Sequence, residues 1–144
     1  MKLVDTIRQF LVFRFLYLAA RIGLALTFLI SGLRKVPGVR FTQIPPGNPV
    51  GDFFAIMYEM PVYWNLIGYI QIILGIMLLF NRTVVAASLM IFPVTVNIML
   101  ISIALNMKGT PMVTILMLLG NICLLIWHYE NYSAILKRPF KEIT

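Results

Sequence analysis

Residues 62–80 read VYWNLIGYIQIILGIMLLF, a run with no charged side chain and with Tyr63 and Trp64 at one end. A helix of about 20 apolar residues crosses the roughly 30 Å hydrocarbon core of a bilayer, and aromatic residues gather where hydrocarbon meets head groups. This stretch is therefore expected to be a membrane-spanning helix. Working outward, residues 83–105, 111–129 and 15–34 have the same character. The first is interrupted by Pro93, expected to kink it; the second opens on Pro111, and the third contains Arg21. These runs are apolar on all sides, whereas strands of a membrane barrel alternate apolar and polar residues. The expected fold is an all-α four-transmembrane-helix bundle, a single membrane domain covering residues 1–144.

Composition leads to the same class. Of 144 residues, 60% are hydrophobic and 12% charged. Soluble domains carry about 45–50% apolar and 25% charged residues, so a soluble fold would lack the polar surface it needs. The net charge of +7 invites a nucleic-acid reading. Its basic residues, however, lie at the edges of apolar runs rather than in a stripe, which fits anchoring to anionic lipid. The lipid bilayer is the expected partner, and nucleic acid is not.

Between the first two spans, residues 36–51 are rich in proline and glycine and read as a loop. Residues 52–60, DFFAIMYEM, place Phe53, Met57 and Met60 on one helical face and suit a short interfacial helix ended by Pro61. Residues 130–144 read as a charged tail. Counting Lys2, Arg8, Arg14, Arg82, Lys137, Arg138 and Lys141 against Arg34, Lys35, Arg40 and Lys108 gives the first side the excess. By the positive-inside rule both termini are expected to be cytoplasmic, in the plasma (inner) membrane of a prokaryote. No cleaved signal peptide is expected at residues 1–15.

Polar side chains at membrane depth are the pointers to function, because lipid cannot satisfy them. Gly68, Gln71 and Gly75 share a face; Ala20, Gly23, Thr27 and Ser31 form a small face on the first span. The third span shows Ser88/Thr95/Ser102 and Pro93/Asn97/Ala104, and the fourth Thr114/Asn121/His128. Arg21, Gln71, Asn97 and Asn121 form the candidate ligand-binding cluster, with helix packing as the competing account. Arg21 either snorkels to the head groups or turns inward. All five acids lie outside the spans, so an inward Arg21 would meet the amides or a bound anion.

Catalytic sets are not legible. There is one cysteine and one histidine, which excludes an internal disulfide and bis-histidine haem ligation within one copy. The ligands for zinc, a Ser-His-Asp set and a phosphate loop are missing as well. No metal site and no catalytic residue is assigned, and no activity is expected of the isolated chain.

RIGLALTFLISGLRKV, residues 21–36, resembles the opening of the DoxX family: an arginine, an apolar run to Phe, Ser-Gly and a lysine, here Arg21, Phe28, Ser31, Gly32 and Lys35. QIILGIMLLF, residues 71–80, is similar to the family's second span, which usually has a glutamate four residues before a glycine; here they are Gln71 and Gly75. The resemblance implies a four-helix membrane fold associated, in some members, with quinone- or thiosulfate-linked oxidoreduction, and in others with thiol systems. Glutamine in place of glutamate removes a charge and a proton acceptor. Three functions stay open: a non-catalytic membrane subunit or anchor of a redox-linked quinone/thiol assembly, holding a quinone or lipid; a small oligomeric transporter or channel; and a structural scaffold. A homo-oligomer or a membrane or soluble redox protein is the expected partner.

Overall fold

The structure, a computed structural model, describes residues 9–36 and 42–136. Within them the chain forms six helices and no strand: α1 Leu11–Lys35, α2 Pro49–Glu59, α3 Pro61–Leu79, α4 Val84–Ala104, α5 Thr110–Trp127 and α6 Tyr129–Leu136. The basic residues Lys2, Arg8, Arg40, Lys137, Arg138 and Lys141 of the charge count lie outside the described residues.

Local chemistry sets the helix boundaries. Asn48 caps α2, its Oδ1 accepting from the Val50 N–H at 3.0 Å, and Pro49 occupies the first helical turn. Asp52 Oδ1 accepts from the Gly47 N–H at 2.8 Å and ties the loop to the helix. An asparagine followed by proline is a helix start, since Pro lacks only an N–H that would be orphaned anyway. The helix accordingly begins ahead of the expected residue 52. Pro61 ends α2 and opens α3 in the same way. Gly109, at φ +77°, takes a left-handed conformation that a side chain would strain, and turns the chain into α5.

Residues 129–136, all but the first expected to be tail, are helical. His128 breaks α5 with non-helical dihedrals, and Tyr132 fastens the new helix by donating from its hydroxyl to the Val85 carbonyl at 3.0 Å. This anchor is a tertiary contact, which is why composition alone missed it.

The four long helices form a ring: α1 touches α3 and α5, α4 touches α3 and α5, and α2 leans on α3. Their apolar windows are at most 33% buried, so most of each faces outward. Side chains such as Ile73, Met90, Leu100, Leu116 and Leu119 stand exposed on that outer surface. In water this would be untenable; in hydrocarbon it is the lowest-cost arrangement. The protein is a multi-pass membrane protein and the bilayer is its solvent.

The tight core occupies one end of the ring. Leu24, Ala25, Phe28, Leu74, Leu78, Val84, Ala87, Ile91 and Leu124 are buried together beside the Phe80–Thr83 turn. The opposite end, beneath α2, encloses a cavity.

Candidate functional site

Arg21 is buried, 8% exposed, and spends its guanidinium on the C-terminus of α3. Nε donates to the Leu78 carbonyl at 2.6 Å, Nη2 to the Leu79 carbonyl at 2.9 Å and Nη1 to Asn81 Oδ1 at 2.7 Å. The last carbonyls of a helix have no partner of their own, and its C-terminal end favours a cation. Arg21 answers both needs. It lies level with the end of α3, ten residues into a helix that begins at Leu11, ahead of the expected residue 15. Arg21 is turned into the bundle, and its partners among the described residues are α3 and Asn81 rather than Gln71, Asn97 or Asn121.

The other DoxX-like residues line the seam between α1 and α3. A Cβ added to Gly32 would stand 2.7 Å from the Gly68 carbonyl oxygen, and one added to Gly75 would stand 2.9 Å from Leu29 Cγ. Glycine at these places lets two backbones touch, the usual device of helix pairing in lipid. Phe28 is fully buried in the core. The small face expected on α1 is corrected at Gly23, where an added Cβ would meet nothing within 4 Å. The register of α1 turns Gly32 and Ala25 toward α3, sends Ala20 to Gly120 of α5, and leaves Gly23 facing out.

The seven-residue polar line of α4 faces α5. Ser88, Thr95 and Ser102 are buried, each hydroxyl donating to a carbonyl of its own helix. Ser102 Oγ meets Thr114 Oγ1 at 3.0 Å, and Asn121 Nδ2 donates to the Ser88 carbonyl at 3.0 Å. Asn121 Oδ1 is buried without a hydrogen-bond partner among the described residues. Asn121 is thus a helix-to-helix rivet, separate from Arg21.

Gln71 and Asn97 do come together, on one cavity of about 580 Å³ between α3 and α4 at the α2 end of the bundle. Ile67, Ile70, Ile98 and Ile101 supply most of its apolar wall, and Phe53 and Phe54 of α2 cover it. Gln71 is 2% exposed, and its Oε1 has no hydrogen-bond partner among the described residues. Asn97 faces outward from the middle of α4, an expensive position for a carboxamide unless something polar meets it. At the upper wall Lys35 is buried, with Nζ donating to Ser31 Oγ at 2.7 Å and to the Ser31 carbonyl at 3.2 Å. The same ammonium stands 5.0 Å above the Trp64 ring. Ser31 and Lys35, two of the DoxX-like residues, thereby belong to the cavity. Of the four candidate ligand-binding residues the structure unites two, Gln71 and Asn97.

At the other end, Tyr17 stacks on Trp127 with ring centroids 4.7 Å apart, and its hydroxyl meets His128 Nε2 at 3.0 Å. Tyr17 was not legible as a partner, since nothing in sequence sets the lateral pairing of α1 with α5. Among the described residues no group of three His, Cys, Asp or Glu is placed to hold a metal ion.

Comparison with known proteins gives two matches. The DoxX family model matches residues 16–104, from α1 to the end of α4. The uncharacterized protein YwoB of Bacillus subtilis (strain 168) is 32% identical over 113 residues, covering 74% of this chain and 72% of that protein. No solved structure matches the chain.

Proposed function

The chain belongs to the DoxX family, and from that premise we propose that it is a non-catalytic membrane subunit or anchor of a redox-linked assembly, holding a quinone or a lipid in the cavity between α3 and α4. The observation that carries this reading is the cavity itself: about 580 Å³, largely apolar, with two carboxamides on its wall. Ligand pockets have this make-up, apolar surface for affinity and a few polar groups for orientation. With glutamine where the family's glutamate usually stands, the site offers hydrogen bonds but no proton-accepting carboxylate. It suits retention of a redox molecule better than acid–base work on it.

A channel or transporter receives less support. Arg21 is committed to the end of α3 and Asn121 to Ser88, so the polar residues do not line one path. A scaffold without a ligand leaves Gln71 unexplained. Both termini are proposed to be cytoplasmic, and Arg21, level with the Asn81–Arg82 turn, adds to the basic excess on that side.

The test is purification in mild detergent from native membranes. Mass spectrometry of the organic extract should show a quinone or lipid at a stoichiometric amount. Cross-linking before solubilisation should capture a redox protein. An empty, partnerless monomer would overturn the proposal.

A further inference from the structure

The cavity has two chemically different ends. At one end, under α2, Tyr63 and Trp64 stand with Lys35. At the other lie Gln71, buried, and Asn97, exposed. From Tyr63 to Gln71 the α3 wall descends about 12 Å at 1.5 Å per residue, from the interface to mid-bilayer.

We infer that the occupant is a neutral amphiphile seated head-down, its hydrogen-bonding group between Gln71 and Asn97 and its apolar tail toward the α2 end. This rests on the reading that the cavity holds a quinone or a lipid, and it decides the class of head group and the direction of insertion.

Hydrogen bonding supplies the first reason. Neither Gln71 nor Asn97 has a hydrogen-bond partner among the described residues. An amphiphile inserted tail-first would press alkyl chain against both and leave them unsatisfied in hydrocarbon. A head placed between them satisfies both at once. Charge supplies the second. Lys35 is the one charged residue among those lining the cavity, and it stands at the α2 end. An ionised head beside Gln71 would be buried with no opposite charge near it, which is costly. Versatility supplies the third. A carboxamide donates through its amino group and accepts through its oxygen, and a half-turn about its last bond exchanges them. Two such groups receive a carbonyl or a hydroxyl equally well, so both the oxidised and the reduced form of a carbonyl ring fit.

The wild-type protein in nanodiscs is the material for the test. A benzoquinone with a ten-carbon chain and an azide on its ring is photolysed in place, and the labelled peptides are mapped. Labels within residues 67–71 and 93–98 are expected. Labels on Lys35 or within 53–64 would overturn the head-down orientation while leaving occupancy of the cavity intact. Affinity gives a second readout. Replacing Gln71→Leu and Asn97→Leu together should weaken the unsubstituted decyl benzoquinone by about tenfold or more, and Lys35→Gln by less than about threefold. Palmitate, which carries an anionic head, should bind more weakly than the quinone; the reverse ranking, or the reverse order of variants, overturns the inference. Binding of neither probe overturns it together with the cavity reading. Should the double variant fail to fold, the photolabelling of the unaltered protein still decides.

Discussion

Arg21 of α1 and Leu78 of α3 are joined by a 2.6 Å hydrogen bond, side chain to carbonyl, and this bond fixes how far the two helices slide past each other. The same guanidinium holds Leu79 and Asn81, so one cation serves three acceptors where α3 ends. A charge that sequence marks as a burden on insertion becomes the clamp of the bundle.

Replacing Arg21→Met should destabilise the protein by about 2–4 kcal/mol, because a charged, multiply bonded group is lost and its acceptors are orphaned. Arg21→Lys should recover part of this, since an ammonium cannot reproduce the planar fork. Cys123 is a half-buried thiol in α5, and its labelling by a thiol-reactive dye on heating reports unfolding. Equal melting of the two variants and the parent would refute the clamp.

The glycine seam makes a contrasting pair of predictions. Gly32→Ala puts a methyl 2.7 Å from the Gly68 carbonyl, a backbone atom that cannot swing away, and should cost about 1–3 kcal/mol. Gly23→Ala meets nothing within 4 Å and should be neutral or stabilising by up to about 1 kcal/mol. Thermal unfolding in one detergent checks both, and a common sign for the two would contradict the described packing.

Asn121 is fully buried, with one of its two polar atoms bonded to the Ser88 carbonyl. Asn121→Leu removes an interhelical bond of the kind worth about 0.6 kcal/mol, together with an unsatisfied oxygen, so its net cost should stay below about 1.5 kcal/mol. Asn121→Asp keeps the shape but, when ionised, turns an acceptor toward the Ser88 carbonyl and buries an unpaired charge. It should be the more harmful change; a finding that Leu is worse would place Asn121 in a role other than riveting.

Alkaline pH should loosen α6. Burial pushes the Tyr132 phenol above its ordinary value, against an opposing hydrogen bond from Ser88. With its pKa raised in the folded state, the folded protein holds this proton more tightly than the unfolded chain. Stability is therefore intact below about pH 10 and falls as pH rises through the folded pKa. Tyr132→Phe should remove this part of the decline. Thermal unfolding between pH 8 and 11 compares the two, and identical slopes would count against it.

The four spans were legible because each is apolar on all faces, and a helix in lipid has no other way to satisfy its backbone. The seven-residue spacing of Ser88, Thr95 and Ser102 likewise marked one of two polar lines on α4, without saying which neighbour it meets; in the structure that neighbour is α5. Arg21 was harder: its depth depends on where α1 begins, and the helix outruns the apolar run that announced it. The cavity was half legible. Gln71 and Asn97 stand out as amides in apolar runs, but their meeting depends on the lateral order of the helices, which periodicity does not encode. Ser31 and Lys35 reached the site through the family resemblance, without any sign that they bordered a hollow. α6 was missed because its stability resides in the Tyr132 anchor.

One further consequence follows from the unequal lengths of α1 and α3. With 25 residues α1 measures about 37 Å, and with 19 residues α3 measures about 28 Å. Locked together at Arg21 and at the glycines, they cannot adjust independently to one hydrocarbon thickness. The lower stub of α1, with Leu11, Val12 and Phe15 exposed, reaches past its shorter neighbour. A membrane around this protein must thicken beside one helix or let that stub tilt into the head groups.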